Sequence, residues 1–118
     1  MAATHISNDM IRGYTGTIVL NILAQGDSYG YQISKDVTAL SKGTYTINEA
    51  TLYTVFRRLV KNGSISGYWG DETQGSRRKY YSITAQGREE LTAAQKNWDV
   101  AKHVMDDLIL GKVVTAHE

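Results

Sequence analysis

The run from Asn48 to Gly63 constrains the fold more than any other stretch of the chain. Leu52, Val55, Phe56, Leu59 and Val60 fall at i, i+3, i+4, i+7 and i+8, the spacing that turns one stripe of a helix toward a core. The opposite face carries Ala50, Thr54, Arg57 and Lys61, flanked by Thr51, Tyr53 and Arg58. Short and hydroxylated residues lead on this face, and cations follow. A helix entering a major groove needs that grading: short side chains let its leading end approach base edges, while long cations behind them reach phosphates. Thr46 with Glu49, or Asn48 alone, caps the start, and Asn62-Gly63 ends the helix. A solvated helix face also carries charge, so the neighbouring segments must decide what this one is for.

Upstream, Asn8 to Ala24 reads as a first helix with Ser7, Asn8 or Asp9 as cap. Its inward residues are Ile11, Tyr14, Ile18, Val19, Ile22 and Leu23. Gly13 and Gly16 weaken it by about 1 kcal/mol each relative to alanine, so they are either simply tolerated or mark a close neighbour. After the turn Gln25-Gly26-Asp27-Ser28, a second helix runs from Tyr29 to about Leu40, capped by Ser28 or Asp27, with Tyr31, Ile33, Val37 and Leu40 inward. Thr44-Tyr45-Thr46 is short and β-favouring. Two helices joined by a brief connection, the second with a polar outer face, make a helix-turn-helix.

Downstream, Ile65 to Gly70 and Arg77 to Ile83 are β-favouring runs around a polar loop, Asp71 to Ser76, the pattern of a hairpin. A hairpin directly behind a candidate recognition helix, its return strand opening on Arg77-Arg78-Lys79, is the organisation of a winged helix. Such cations also protect edge strands from aggregation, but their position favours the sugar-phosphate backbone as partner. The charge distribution agrees. Residues 1–49 hold three cations and four anions, residues 50–83 six and two, and residues 84–118 four and six, so the positive excess sits in the middle third of a chain whose net charge is only +1.

Thr84 caps a last helix from Ala85 to about Leu110, ended by Gly111, with a frayed tail from Val113 to Glu118. Leu91, Ala94, Trp98, Ala101, Met105 and Leu108 alternate spacings of three and four, the a and d positions of a heptad. The other helices are engaged in the winged-helix core, so the partner of this seam is a second copy of the chain. The expected fold is mainly α with a small β-hairpin. Residues 1–83 would form a winged helix-turn-helix unit that includes the N-terminal helix, and residues 84–118 a C-terminal dimerisation helix and tail.

Several classes are excluded. The chain has no cysteine, hence no disulfide framework or thiolate metal site. His5, His103 and His117 are scattered, so no metal and no cofactor is expected. Asp106 and Asp107 adjoin on a helix and cannot share one centre. Gly63-Ser64-Ile65-Ser66-Gly67 has the outline of a nucleophile elbow with Ile65 at its middle, and no phosphate loop or dinucleotide fingerprint occurs. No enzyme is read here. Met1 to Asp9 lacks the features of a signal peptide and no apolar run is long enough for a membrane helix, so a cytoplasmic protein with no membrane partner is expected.

On Asn48-Glu49-Ala50-Thr51-Leu52-Tyr53, Tyr68-Trp69-Gly70-Asp71-Glu72 and Gly75 to Tyr81, the chain resembles PadR-family transcriptional regulators. It is most similar to the short subfamily with a single C-terminal helix, and within that to its multidrug-binding repressor. The resemblance runs from about Met10 to Leu108. It implies a homodimeric repressor of a transporter or stress operon, bound to a double-stranded DNA operator and relieved by planar aromatic small molecules. It also implies a ligand pore lined by Met10, Tyr14, Thr17 and Asn21 from the first helix and by Ala94, Gln95, Trp98, Asp99, Lys102 and Met105 from the last, with paired Trp98 rings around the ligand. A tryptophan at a heptad core position is too broad to interdigitate with its symmetry mate, which is compatible with such a gap. The chain departs from that relative at Lys102, where the relative is acidic, and at Tyr14 and Thr17, where it has glutamine and valine, so the ligand's charge preference stays open. On DNA, Thr51, Tyr53 and Thr54 would make the leading contacts, supported by Arg57, Arg58 and Lys61. Arg77, Arg78 and Lys79 would hold the wing to the backbone, and Tyr29 and Tyr31 would add phosphate contacts.

Overall fold

The computed structural model describes residues 6–70 and 77–114. The order of elements is α1 (Asn8–Ile11), a 3-10 turn (Arg12–Tyr14), α2 (Thr15–Leu23), β1 (Ser28–Tyr29), α3 (Gly30–Leu40), α4 (Glu49–Lys61), β2 (Ile65–Trp69), β3 (Lys79–Ile83) and α5 (Ala85–Leu110). The fold is the expected winged helix with a long C-terminal helix. The loop expected at 71–76 and the tail beyond Val114 lie outside the described residues.

The first helix departs from the sequence expectation. It is not continuous from Asn8 to Ala24 but interrupted at Arg12–Tyr14, where Gly13 offers no side chain to hold the turn and nothing approaches within 4 Å of its missing β-carbon. Ser7 caps α1 by accepting a hydrogen bond from the Met10 amide. The two glycines have different reasons. A β-carbon on Gly16 would stand 3.0 Å from Arg58 Nη2 and 3.7 Å from Leu59 Cδ2, so Gly16 marks where α2 meets α4, while Gly13 is merely tolerated.

Three antiparallel strands lie in the order β1-β3-β2, one more than a hairpin. Ser28 and Tyr29 pair with Tyr81 and Tyr80, so neither Ser28 nor Asp27 caps the second helix. Tyr29 occupies the cap position with no side-chain hydrogen bond. Two residues are too few for period-two patterning to show in a sequence. β2 and β3 pair from Ile65 with Ile83 out to Trp69 with Lys79. Of the three wing cations only Lys79 lies within the strand.

The core gathers Val19, Leu20 and Leu23 of α2, Ile33 and Val37 of α3, and Leu52, Val55, Phe56 and Leu59 of α4. Ile65, Tyr81 and Leu91 close it. Tyr45 and Ile47 enter it from an irregular connection rather than a strand. That connection is tied down by Ser34, which donates to the Ile47 carbonyl at 2.8 Å, and by Ser41, whose hydroxyl accepts from the Tyr45 amide. Tyr14, Tyr31, Leu40 and Val60, expected inward, are exposed. Val60 sits at the edge of the α4 stripe, Leu40 is the last residue of α3 and Tyr31 lies two residues from Ile33, on the far side of that helix, and Tyr14 falls in the 3-10 turn. Asn48 Oδ1 accepts from the Thr51 amide at 2.8 Å, so Asn48, not Thr46, caps α4, and Gly63 ends it at φ +80°.

The end of α4 and the start of α5 are bolted together. Thr84 accepts from the Gly87 amide and donates to the Gly63 carbonyl at 2.7 Å. The fully buried Ser64 donates to Glu90 Oε1 at 2.7 Å. Gln86 donates to the Asn62 carbonyl. Gly87 makes the approach possible, because a β-carbon there would fall 2.1 Å from the Ser64 carbonyl oxygen. Gly87→Ala is therefore expected to lower stability by about 1–3 kcal/mol, the usual range where overpacking forces the backbone to shift. Gly13→Ala, with open space around it, should be neutral or stabilising; thermal melts of the two variants against the parent check both.

Candidate nucleic-acid interface

The α4 outer face is open along its length: Ala50, Thr51, Tyr53, Thr54, Arg57, Arg58 and Lys61 are all exposed. Arg58 and Lys61 lie in its last turn, where cations offset the negative end of the helix dipole. The Thr54 hydroxyl donates back to the Ala50 carbonyl at 3.4 Å. Burial of Leu52, Val55, Phe56 and Leu59 fixes the direction in which this face points.

Beside it, the start of α3, the start of α4 and the wing enclose a cleft of about 510 Å³. Tyr29, Tyr31, Tyr53 and Trp69 form its aromatic walls, and Arg77, Arg78 and Lys79 line it as well. The cations rest on aromatic rings. Arg77 and Lys79 Nζ lie 5.2 and 4.9 Å from the Trp69 centroid, and Arg78 lies 4.6 Å from that of Tyr29. A cation held on a ring face keeps its charge outward while losing some side-chain freedom before any ligand arrives. Tyr29 in turn meets Tyr80 edge-on at 5.3 Å, and Tyr80 stacks on Tyr68 at 5.7 Å. The strand β1 thus ties the wing cations to the start of α3.

Six of the residues expected at a DNA surface, Tyr29, Tyr31, Tyr53 and Arg77 to Lys79, line this one cleft. Thr51, Thr54, Arg57 and Lys61 lie outside its lining, on the open face of α4. Arg58 leans the other way, over α2 at Gly16. The lining also includes Gly30, Phe56 and Tyr81 from the fold's interior side and Glu49 and Trp69, none of which the sequence pattern assigns to this surface. Trp69 could have been found, since a tryptophan closing a strand beside three cations is a stacking partner for them. Glu49 was read only as part of a helix start.

Near the loop end of β2, the Tyr68 hydroxyl donates to Asp27 Oδ2 at 2.6 Å, and this hydrogen bond to Asp27 is the main cause that raises the Tyr68 phenol above its usual value of 10.0. Because the folded value is the higher one, the bond is present at neutral pH and lost as pH rises through it.

The residues expected around a ligand pore line a second surface. Tyr14 meets Trp98 edge-on at 5.2 Å within the same chain. Thr17, Asn21 and Ala94 are half-buried, while Met10, Gln95, Trp98, Asp99, Lys102 and Met105 are exposed. Lys102 pairs with Asp99 at 3.3 Å. Further along α5, Val104, Leu108 and Ile109 are exposed too, an apolar surface of the kind that marks an interaction site. Among the described residues no group of three acidic, histidine or cysteine side chains could hold a metal, and no helix is long and apolar enough to cross a membrane.

A three-helix core, a β wing and an open, cation-bearing second helix of the helix-turn-helix define a winged-helix protein of the DNA-binding class. The chain belongs to the PadR-like transcriptional regulator family, whose model matches residues 19–93. It is similar to Uncharacterized protein X of Lysinibacillus sphaericus, 40% identical over 101 residues that cover 86% of this chain and 93% of that one. Among solved structures, a transcriptional regulator from Clostridium thermocellum is 45% identical with a TM-score of 0.78, covering 84% of this chain and 96% of that chain. A PadR family transcription regulator from hypervirulent Clostridium difficile is 31% identical with a TM-score of 0.71, covering 82% and 99%.

An Asp27→Asn substitution should move the Tyr68 phenol back down toward 10.0, because the carboxylate that favours the neutral phenol is gone. Alkaline difference spectra of variant and parent, which share every other tyrosine, check this; superimposable titrations would refute it.

Proposed function

We propose that the chain is a homodimeric, ligand-responsive transcriptional repressor. Residues 1–83 act as the reading unit and residues 84–118 as the dimerisation arm. The observation that carries the DNA-reading part is the convergence of Arg77, Arg78 and Lys79 with Tyr53 of α4 and the start of α3 on one cleft. Thr51, Tyr53 and Thr54 meet bases or phosphates at the leading end of α4, Arg57 and Lys61 reach phosphates behind them, and Arg58 joins them by swinging off α2. The wing cations grip the backbone alongside, with Tyr29 and Tyr31 adding phosphate contacts. Two such units related by a two-fold axis read half-sites about one helical turn apart, or a multiple of it.

The exposed apolar surface of α5 supports dimerisation, since among the described residues none buries Trp98, Met105 or Leu108. In the dimer the two Trp98 rings flank a pore that takes planar aromatic compounds, lined by Met10, Tyr14, Thr17 and Asn21 and by Ala94, Gln95, Asp99, Lys102 and Met105. Its lining includes both members of the Lys102–Asp99 pair, which leaves no net charge there to demand a cationic ligand. A ligand acts by binding one inter-subunit arrangement better than another. The bolted junction of α4 and α5 would then carry a change in helix crossing to the reading heads, releasing a transporter or stress operon. The edge contact of Tyr14 on Trp98 favours one second reading, a DNA-binding regulator in which Trp98 only packs. De-repression assays with candidate inducers separate the two.

Duplex affinity should fall steeply with salt, and Arg77→Ala should flatten the slope of log affinity against log salt by about one unit. Anisotropy titrations measure this, and no affinity for duplex at low salt would instead indicate a protein-binding module. In a Trp69→Phe background, a saturating planar aromatic compound should change Trp98 emission and weaken DNA binding roughly fivefold or more, the lower end of ordinary allosteric coupling. Saturation with unchanged DNA affinity would leave a cavity without induction.

A further inference from the structure

Glu49 is the only acidic side chain among the described residues that line the cationic cleft. It opens α4, next to the Asn48 cap. Its carboxylate also lies over the first residue of α3: a β-carbon on Gly30 would meet Glu49 Oε1 at 3.5 Å. The positive ends of two helices therefore favour a negative group at this place. The ion pairs among the described residues are Arg12 with Asp9 and Lys102 with Asp99, so Glu49 is not neutralised by the arginines and lysine that share its cleft.

A surface tuned only for the sugar-phosphate backbone gains nothing from a carboxylate, which repels phosphate. What a carboxylate can do at the leading end of a groove-reading helix is accept hydrogen bonds from a base. In the major groove the donors are the cytosine N4 and adenine N6 amino groups, and adenine sets its N7 acceptor beside N6, whereas cytosine presents the donor alone. Cytosine is thus the better partner. We propose that Glu49 is a specificity-determining residue that accepts from cytosine N4 once in each half-site. The inference rests on the DNA-reading role proposed above.

Selection of bound duplexes from a random-sequence pool by the full-length parent, Glu49→Gln and Glu49→Ala tests it, with melting curves to establish that each variant folds. The parent should favour cytosine at one position per half-site by about fivefold or more over the other bases. Glu49→Gln, which can donate as well as accept, should move that preference to adenine. Glu49→Ala should lose it at that position alone and bind unrelated duplex more tightly, since a repulsion is removed. Base preferences identical in all three proteins, with weaker binding to every sequence, would overturn the assignment and leave Glu49 as a helix-start residue. A parent that binds no duplex would overturn the DNA-reading role itself.

Discussion

Phe56 lies fully buried against Tyr81, ring on ring, with centroids 4.3 Å apart and planes 29° from parallel. This stack joins the middle of the recognition helix to the central strand of the sheet, and the rest of the site depends on it. Aromatic pairs of this kind add about 0.5–1.5 kcal/mol beyond their buried area, but its geometric role matters more. With Phe56 facing the sheet, the helical period leaves Tyr53, Thr54 and Arg57 outward. With Tyr81 facing the helix, the alternation of a strand sends Tyr80 to the other side, where it meets Tyr29 and Tyr68. One contact therefore sets both the face that α4 presents and which residues of β3 turn toward the cleft.

A second constraint links reading to assembly. Asn62, Gly63 and Ser64 leave α4 directly into hydrogen bonds with Gln86, Thr84 and Glu90, and Leu91 is buried in the same core. The first two turns of α5 consequently move with the reading head, and the exposed surface begins beyond them. A helix with one end fixed in a core and the other free is a lever, and its angle to a partner helix would set the distance between two heads.

The cleft combines features that no single part of the chain supplies. The wing cations are steadied on Trp69 and Tyr29, and one carboxylate stands among them at the meeting of two helix ends. General attraction to phosphate and discrimination among bases need different chemistry, and both kinds of group are present within a few side chains of each other.

The sequence by itself determined the elements whose signals are local. The stripe from Leu52 to Leu59, the Asn62-Gly63 stop, the Thr84 cap, the hairpin and its Arg77-Arg78-Lys79 run each depend on residues within a turn or two of one another, and so does the periodicity of α5. The tertiary structure alone decided what arises between segments distant in the chain. The strand at Ser28–Tyr29 exists only because β3 lies beside it, and the interruption at Arg12–Tyr14 removes a helix that periodicity extends. Val60 belongs to an apolar pattern yet faces solvent, because the width of a buried stripe is set by the neighbour that covers it, and Leu40 is exposed because α3 ends there. Gly87 shows no special pattern until the Ser64 carbonyl is placed against it. Glu49 is an ordinary helix-start residue until folding brings Gly30 beneath its carboxylate and the wing beside it. Periodicity and capping are properties of a segment with itself, whereas close approach, stacking and electrostatic company are properties of pairs that only the fold brings together.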